Sequence, residues 1–163
     1  MSAGPLLLVE ALSAEAFAAF GEVISPSQAR QVYPINQGSS LRYHDIARVD
    51  VGDQGGWPLI SIFRAEPRVL PFAIKMLERH PLGSQAFVPL SPSLRYLVVV
   101  AEQIGSLPRA FLASEGQGVN FAKNVWHHPL LALDAGGDFL VIDRGGEGNN
   151  CEERAWAPAS VEL

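Results

Sequence analysis

The sequence predicts a mainly β fold, a sandwich or small barrel, with one α-helix near the N-terminus. Three observations lead there. Glycine and proline make up 27 of the 163 residues and are spread along the whole chain, which is the punctuation of many short strands. From Gly21 onward the apolar residues recur mostly with period two. The apolar runs then follow one another at intervals of roughly 8–12 residues, the spacing of sandwiches and barrels.

The helix is expected first. Ser13 is placed to cap it, Glu15 falls in its first turn, Phe17 and Phe20 sit three apart, and Gly21 suits the left-handed position after its end. Next comes a strand at 72–80, with Phe72, Ile74, Met76, Glu78 and His80 on one face and Ala73, Lys75, Leu77 and Arg79 on the other. Pro81-Leu82-Gly83 signals a turn, after which Gln85 and Phe87 share a face. Leu94–Ala101 is rich in β-branched residues and reads as a central strand. Further strands are expected at 59–64, 109–113, 119–122, 127–133 and 139–144.

At this length a chain buries roughly 70% of its unfolded surface, enough for one core without cross-links. One domain over residues 1–163 is expected, with the polar stretch 147–163 as a loose C-terminal extension. A single cysteine, Cys151, excludes an intrachain disulfide and a multi-cysteine metal site. The net charge of −5 speaks against a nucleic-acid binder, which needs clustered Lys and Arg. The longest nearly uninterrupted apolar run, Leu94–Ala101, is broken by Arg95 and is far short of the ~20 residues that span a bilayer. Leu6–Val9 has no basic residue ahead of it and no small-residue cleavage pattern, so it does not read as a signal peptide. A cytoplasmic protein without membrane or nucleic-acid partners is the expectation.

Chemistry concentrates in two segments. In Glu78-Arg-His80-Pro-Leu-Gly-Ser-Gln85 the spacing puts Glu78 and His80 on one strand face, and the turn brings Gln85 back beside them. A buried glutamate is costly unless paired, protonated or metal-bound. A structural Glu–His or Glu–Arg pair at a strand end accounts for the spacing equally well. The second segment, Gly116-Gln-Gly-Val-Asn120 through Lys123-Asn124-Val-Trp-His127-His128-Pro129, offers two consecutive histidines, of which only one can face a site. Asn124 suits the turn conformation that glycine often supplies. Arg42, Arg64 and Lys123 are candidate partners for an anionic substrate. Neither a Gly-x-Ser-x-Gly elbow nor a complete nucleotide fingerprint is present.

These segments resemble the two metal-binding motifs of the cupin family. Glu78-x-His80, four residues, then Gln85 fills the frame His-x-His, three or four residues, Glu. Ala122-Lys123-Asn124, two residues, then His127 fills Pro-x-Gly, two residues, His. Glu replaces the first His and Gln replaces the Glu. Longer strings carry the likeness further: Ala14–Ile24, Arg42–Ala47, Glu78–Pro89, Gly116–Asn120, Asn124–Leu130 and Asp143–Gly146 resemble the ureidoglycolate lyase family, from about residue 8 to 152.

The resemblance implies a cupin-like β-barrel (double-stranded β-helix), a homodimer, and a carbon–nitrogen lyase of the amidine-lyase type in allantoin degradation that splits ureidoglycolate into glyoxylate and urea. It implies His80, Glu78, His127 and Lys123 as catalytic residues and Arg42, Arg64, Asn120 and Gln85 as substrate-binding residues. Glu78, His80, Gln85 and His127 would hold one divalent ion (Ni, Zn or Mn). A metal-free site with Glu78 or a histidine doing the acid–base work fits the same residues. So do two other functions, a non-catalytic barrel that binds small acids and a different metal-dependent cupin enzyme.

Overall fold

Short strands punctuated by turns are what the chain forms in the computed structural model, which describes residues 4–163; residues 1–3 of the expected domain lie outside the described residues. In chain order the elements are β1 (Leu6–Leu7), β2 (Val9–Ala11), α1 (Ala14–Phe17), β3 (Gly21–Ile24), β4 (Gln31–Ile35), β5 (Ser40–His44), β6 (Trp57–Ala65), β7 (Phe72–Arg79), β8 (Gln85–Pro89), β9 (Tyr96–Ala101), β10 (Arg109–Ala113), β11 (Gly118–Phe121), β12 (Trp126–His127), β13 (Leu131–Ala132), β14 (Gly137–Gly145) and β15 (Glu152–Val161). One sheet runs β1-β15-β7-β12-β9-β10-β2, with β13 also on β9; a second runs β3-β11-β8-β14-β6; β4 and β5 pair only with each other. The two large sheets enclose a nearly closed, cupin-like barrel.

The barrel interior is filled from both sheets. Tyr96, Val98 and Val100 of β9 meet Phe87, Val119, Phe121, Phe139 and Val141 of the second sheet, with Phe111 and Phe17 closing one end. Fully burying such a side chain is worth about 1.5–3 kcal/mol, and Phe17 packs edge-on against Phe111 at 5.8 Å. All six residues of β9 are buried, as its β-branched composition predicts for a central strand.

The helix is a single turn. Ser13 caps it as expected, accepting the Ala16 N–H at 3.2 Å. Gly21 does not terminate it. Instead Gly21 opens β3 at φ 151°, where a Cβ would stand 1.9 Å from the Asn120 carbonyl oxygen, so the backbones approach closely only because the side chain is missing. The expected strand 127–133 is split into β12 and β13 around Pro129. The alternation expected along 72–80 is also broken. Ile74 and Leu77, three apart, enter the same core cluster, because β15 bulges between Ala155 and Ala159 opposite them.

The expectation of a loose extension at 147–163 is overturned. Residues Glu152–Val161 form the longest strand and pair along β7 from Glu152–Arg79 to Val161–Phe72. Three small or aromatic apolar residues decide this, since Trp156, Ala159 and Val161 pack against Ile74 and Leu77. Among the described residues no helix is long and apolar enough to cross a membrane. Deleting residues 152–163 should abolish the cooperative thermal transition seen by circular dichroism; an unchanged melting temperature would contradict the role of β15 as the brace of β7.

Candidate functional site

Strand register brings the two chemical segments together. His127 of β12 lies directly opposite Glu78 of β7, so both side chains leave the same face. His80 follows in the turn after β7, and the backbone N–H of Asn124 donates to the His80 carbonyl at 3.0 Å. Asn124 takes a left-handed φ of 66°, the turn conformation its type suits, and this ties one segment to the other.

The result is a cluster of three. Glu78 Oε1 stands 3.5 Å from His127 Nε2 and 3.8 Å from His80 Nε2. Each imidazole is oriented from behind. His80 Nδ1 donates to the Asn150 carbonyl at 2.7 Å, and His127 Nδ1 donates to the Val125 carbonyl at 2.9 Å. A carbonyl only accepts, so Nδ1 carries the proton on both rings, and in the neutral rings Nε2 presents a lone pair. The Phe121 ring lies flat on His127 at 4.2 Å and fixes its plane.

Three acceptors therefore face one another in a half-buried place. Burial opposes the charge on Glu78, but when the facing His127 nitrogen carries a proton its bond to the carboxylate, together with positive charge on His127, His80 and His128, outweighs it, and the carboxyl is then held below its ordinary range. Such a cluster is stable only with positive charge among the three, either a proton on Nε2 or a cation. The residues fit a divalent cation. Their ligand atoms all lie within 4.8 Å of one another, one carboxylate and two imidazoles suit Zn, Ni or Mn, and both Nε2 atoms are buried with no hydrogen-bond partner among the described residues. Anchoring Nδ1 on a carbonyl is also how metal-binding histidines are held.

Glu78 opens onto a cavity of about 380 Å3 lined by Phe63, Arg64, Gln85, Phe87, Pro129 and Leu130. Gln85 projects into it from β8. Its amide donates to Asp143 Oδ2 at 3.2 Å and its Oε1 is buried without a partner among the described residues. Arg64 stands at the mouth, exposed, donating Nε and Nη2 to Asp138. A wider hollow of about 550 Å3 is lined by Ser91, Leu94, Asp134 and Asp138, but both carboxylates there are already paired with Arg95 and Arg64.

Glu78, His80, Gln85, His127 and Arg64 are thus brought together or to the cavity rim. Three expected residues are not. Lys123 is held by Asp53 at 2.9 Å and Asp50 at 3.3 Å. Asn120 points to the other side of its sheet, where its amide donates to Glu22 Oε1 and the Arg48 carbonyl, because it alternates with Val119 and Phe121, which face the core. Arg42 is exposed on the β4–β5 hairpin. His128 donates Nδ1 to the Pro129 carbonyl and packs edge-on against Phe72, and burial pushes its pKa down. Sequence reasoning missed Phe121 and Asn150 as site neighbours, and it weighed Asp143 as part of a structural Asp–Arg pair in a turn as much as a site residue. Period two put Phe121 on the inward face with Val119, but its place opposite Gln85 is set by strand pairing, and Asn150 holds His80 through its backbone carbonyl, which no residue type announces.

A family model described as Ureidoglycolate lyase matches residues 5–162. The chain is 56% identical to "Ureidoglycolate lyase" of Burkholderia cepacia over 164 residues, covering 96% of this chain and 92% of the relative. It is 50% identical to "Ureidoglycolate lyase 1" of Rhizobium meliloti (strain 1021) over 159 residues, with the same coverages of 96% and 92%. Among solved structures, a dTDP sugar isomerase from Desulfovibrio desulfuricans G20 aligns with a TM-score of 0.43 at 16% identity, covering 83% of this chain and 82% of that one.

After treatment with a chelator, the protein should take up one Zn, Ni or Mn ion per chain in calorimetric titration. His127→Ala should weaken that uptake by at least about tenfold; equal affinity in the variant would remove His127 from the ligand set.

Proposed function

The chain belongs to the ureidoglycolate lyase family and has that family's lyase function, and we propose that the cavity at Glu78, His80 and His127 is where ureidoglycolate is split into glyoxylate and urea. The observation that carries this reading is the convergence of two Nδ1-anchored imidazoles on one carboxylate, Glu78, which itself lines a pocket with largely apolar walls. That function sets aside the non-catalytic small-acid barrel and the unrelated cupin enzyme.

The reaction moves one proton. The substrate's hydroxyl loses it as the carbonyl of glyoxylate forms, the bond from that carbon to the ureido nitrogen breaks, and the nitrogen leaves as urea with the proton. Glu78, ionised at neutral pH, is the acceptor nearest the pocket. One of its oxygens faces the histidines and the other serves the hydroxyl, from which the proton passes to the departing nitrogen. Glu78, His80 and His127 would hold a divalent ion, which would supply Lewis acidity toward the substrate's oxygens. Gln85 Oε1, an acceptor without a partner, takes a ureido N–H and orients the leaving group. Arg64, whose Nη1 is left over from its bonds to Asp138, holds the carboxylate. Phe63, Phe87, Pro129 and Leu130 keep water from the reacting carbon. No covalent nucleophile is needed.

We also infer a single domain that works as a cytoplasmic homodimer in purine breakdown. The support for a second copy is the solvent side of the five-stranded sheet. Registers align Ile60 with Ile142 and Ile62 with Leu140, with Ile60 75% and Ile62 53% exposed, while Ala86, next to Ile142, is buried. A sheet with one solvated face ordinarily places polar residues there. At about 3.3 Å per residue and 4.8 Å between strands, the residues of β3, β11, β8, β14 and β6 give a face of roughly 490 Å2, more than half of the ~800 Å2 that each partner buries in a standard interface.

In a coupled assay for glyoxylate and urea, His80→Ala and His127→Ala should each lower turnover by well over about tenfold with the fold intact; release of ammonia in place of urea would overturn the reaction type. Light scattering should give twice the 17.6 kDa chain mass for the wild type and one chain mass for Ile60→Lys combined with Ile62→Lys.

A further inference from the structure

The loop after β14 belongs to none of the expected site segments, yet it reaches His80. Arg144, 8% exposed despite its charge, donates Nη2 to the Asp53 carbonyl at 2.8 Å and to the Glu147 carbonyl at 2.9 Å. Its side chain runs through a channel without Cβ atoms. A Cβ on Gly56 would stand 2.3 Å from Arg144 Nε, and one on Gly83 would stand 2.7 Å from Arg144 Cβ. The guanidinium thus pins the start of the loop, and Asn150 pins its end. Asn150 Oδ1 accepts the Leu82 N–H at 2.8 Å, and the carbonyl of the same residue accepts His80 Nδ1–H at 2.7 Å. One residue therefore grips the turn after β7 twice, by side chain at Leu82 and by backbone at His80.

We propose that Asn150 is a positioning residue for the lyase reaction: its side-chain bond to Leu82 sets its carbonyl so that His80 is locked with Nδ1 protonated and Nε2 turned toward Glu78 and His127. The inference rests on the proposed site. It explains why an asparagine stands here, since the position needs an acceptor short enough to bond a neighbouring backbone N–H while its own carbonyl turns inward. Alanine keeps the carbonyl but loses the side-chain grip. Aspartate keeps the acceptor and so keeps the grip.

The test is nitrogen-15 NMR of the histidine rings in the full-length protein, together with kinetics of the variants. In the wild type, His80 should show a protonated Nδ1 and an unprotonated Nε2. Asn150→Ala should mix the two tautomers and lower kcat/KM by about 10–100-fold, mainly through kcat, and Asn150→Asp should restore both. A wild-type His80 protonated on Nε2 alone would overturn the proposal even if Asn150→Ala failed to fold. So would an unchanged tautomer in Asn150→Ala, whatever its activity. Full activity of His80→Ala would instead sink the site assignment, while the ring spectrum would still decide whether Asn150 sets the tautomer.

Discussion

Two hydrogen bonds from imidazole to main-chain carbonyl govern this site. Because His80 and His127 each spend their Nδ1 proton on a backbone oxygen, their remaining nitrogens turn toward Glu78 as bases rather than as donors. Lone pairs gathered around an ionised carboxylate repel one another in a medium less polar than water. The fold imposes that arrangement, and whatever enters among the three atoms with positive charge is attracted by all of them. Binding and proton transfer are both consequences of this one constraint.

The barrel supplies the constraint by register. Placing His127 opposite Glu78 costs nothing beyond the ladder that β7 and β12 already form, and β7 is itself paired with β15 on both sides of the bulge. Phe121 lies flat on the His127 ring, so a core residue doubles as a wall of the site. The apolar interior and the polar cluster are continuous. Val100 lies opposite His127 across the ladder, on the far side of β12 from Glu78, and a change of volume there would reach the imidazole directly.

Much of this was legible in the residues. Period two and the spread of glycine and proline announced a sandwich or small barrel, the resemblance narrowed it to a cupin-like barrel, and the spacing of Glu78, His80 and Gln85 around a turn announced a converging set. What the residues did not announce was direction. Asn120 is one position out of phase with the inward residues Val119 and Phe121, and a slip of one sends a strand side chain to the opposite face. Lys123 was attractive as a free cation, yet two aspartates from the segment before β6 neutralise it. The polarity of 147–153 hid the strand that follows, because Trp156, Ala159 and Val161 are spaced irregularly across a bulge. Pairing partners far apart in sequence decided each of these outcomes.

The holding groups at the site are mostly main-chain atoms, and that fixes how the protein can vary. A side-chain partner of a histidine is lost with one substitution, but the Asn150 and Val125 carbonyls survive any substitution that keeps the chain path. Sensitivity therefore moves from the atom that accepts the bond to the residues that set the path. These are Asn124, whose left-handed turn lets its N–H reach the His80 carbonyl, and the glycines beside Arg144, where any Cβ would collide. They touch no substrate, yet displacing the backbone by even about an ångström is enough to turn a lone pair away from its target. In this barrel the chemistry depends as much on the course of two loops as on the three side chains that perform it.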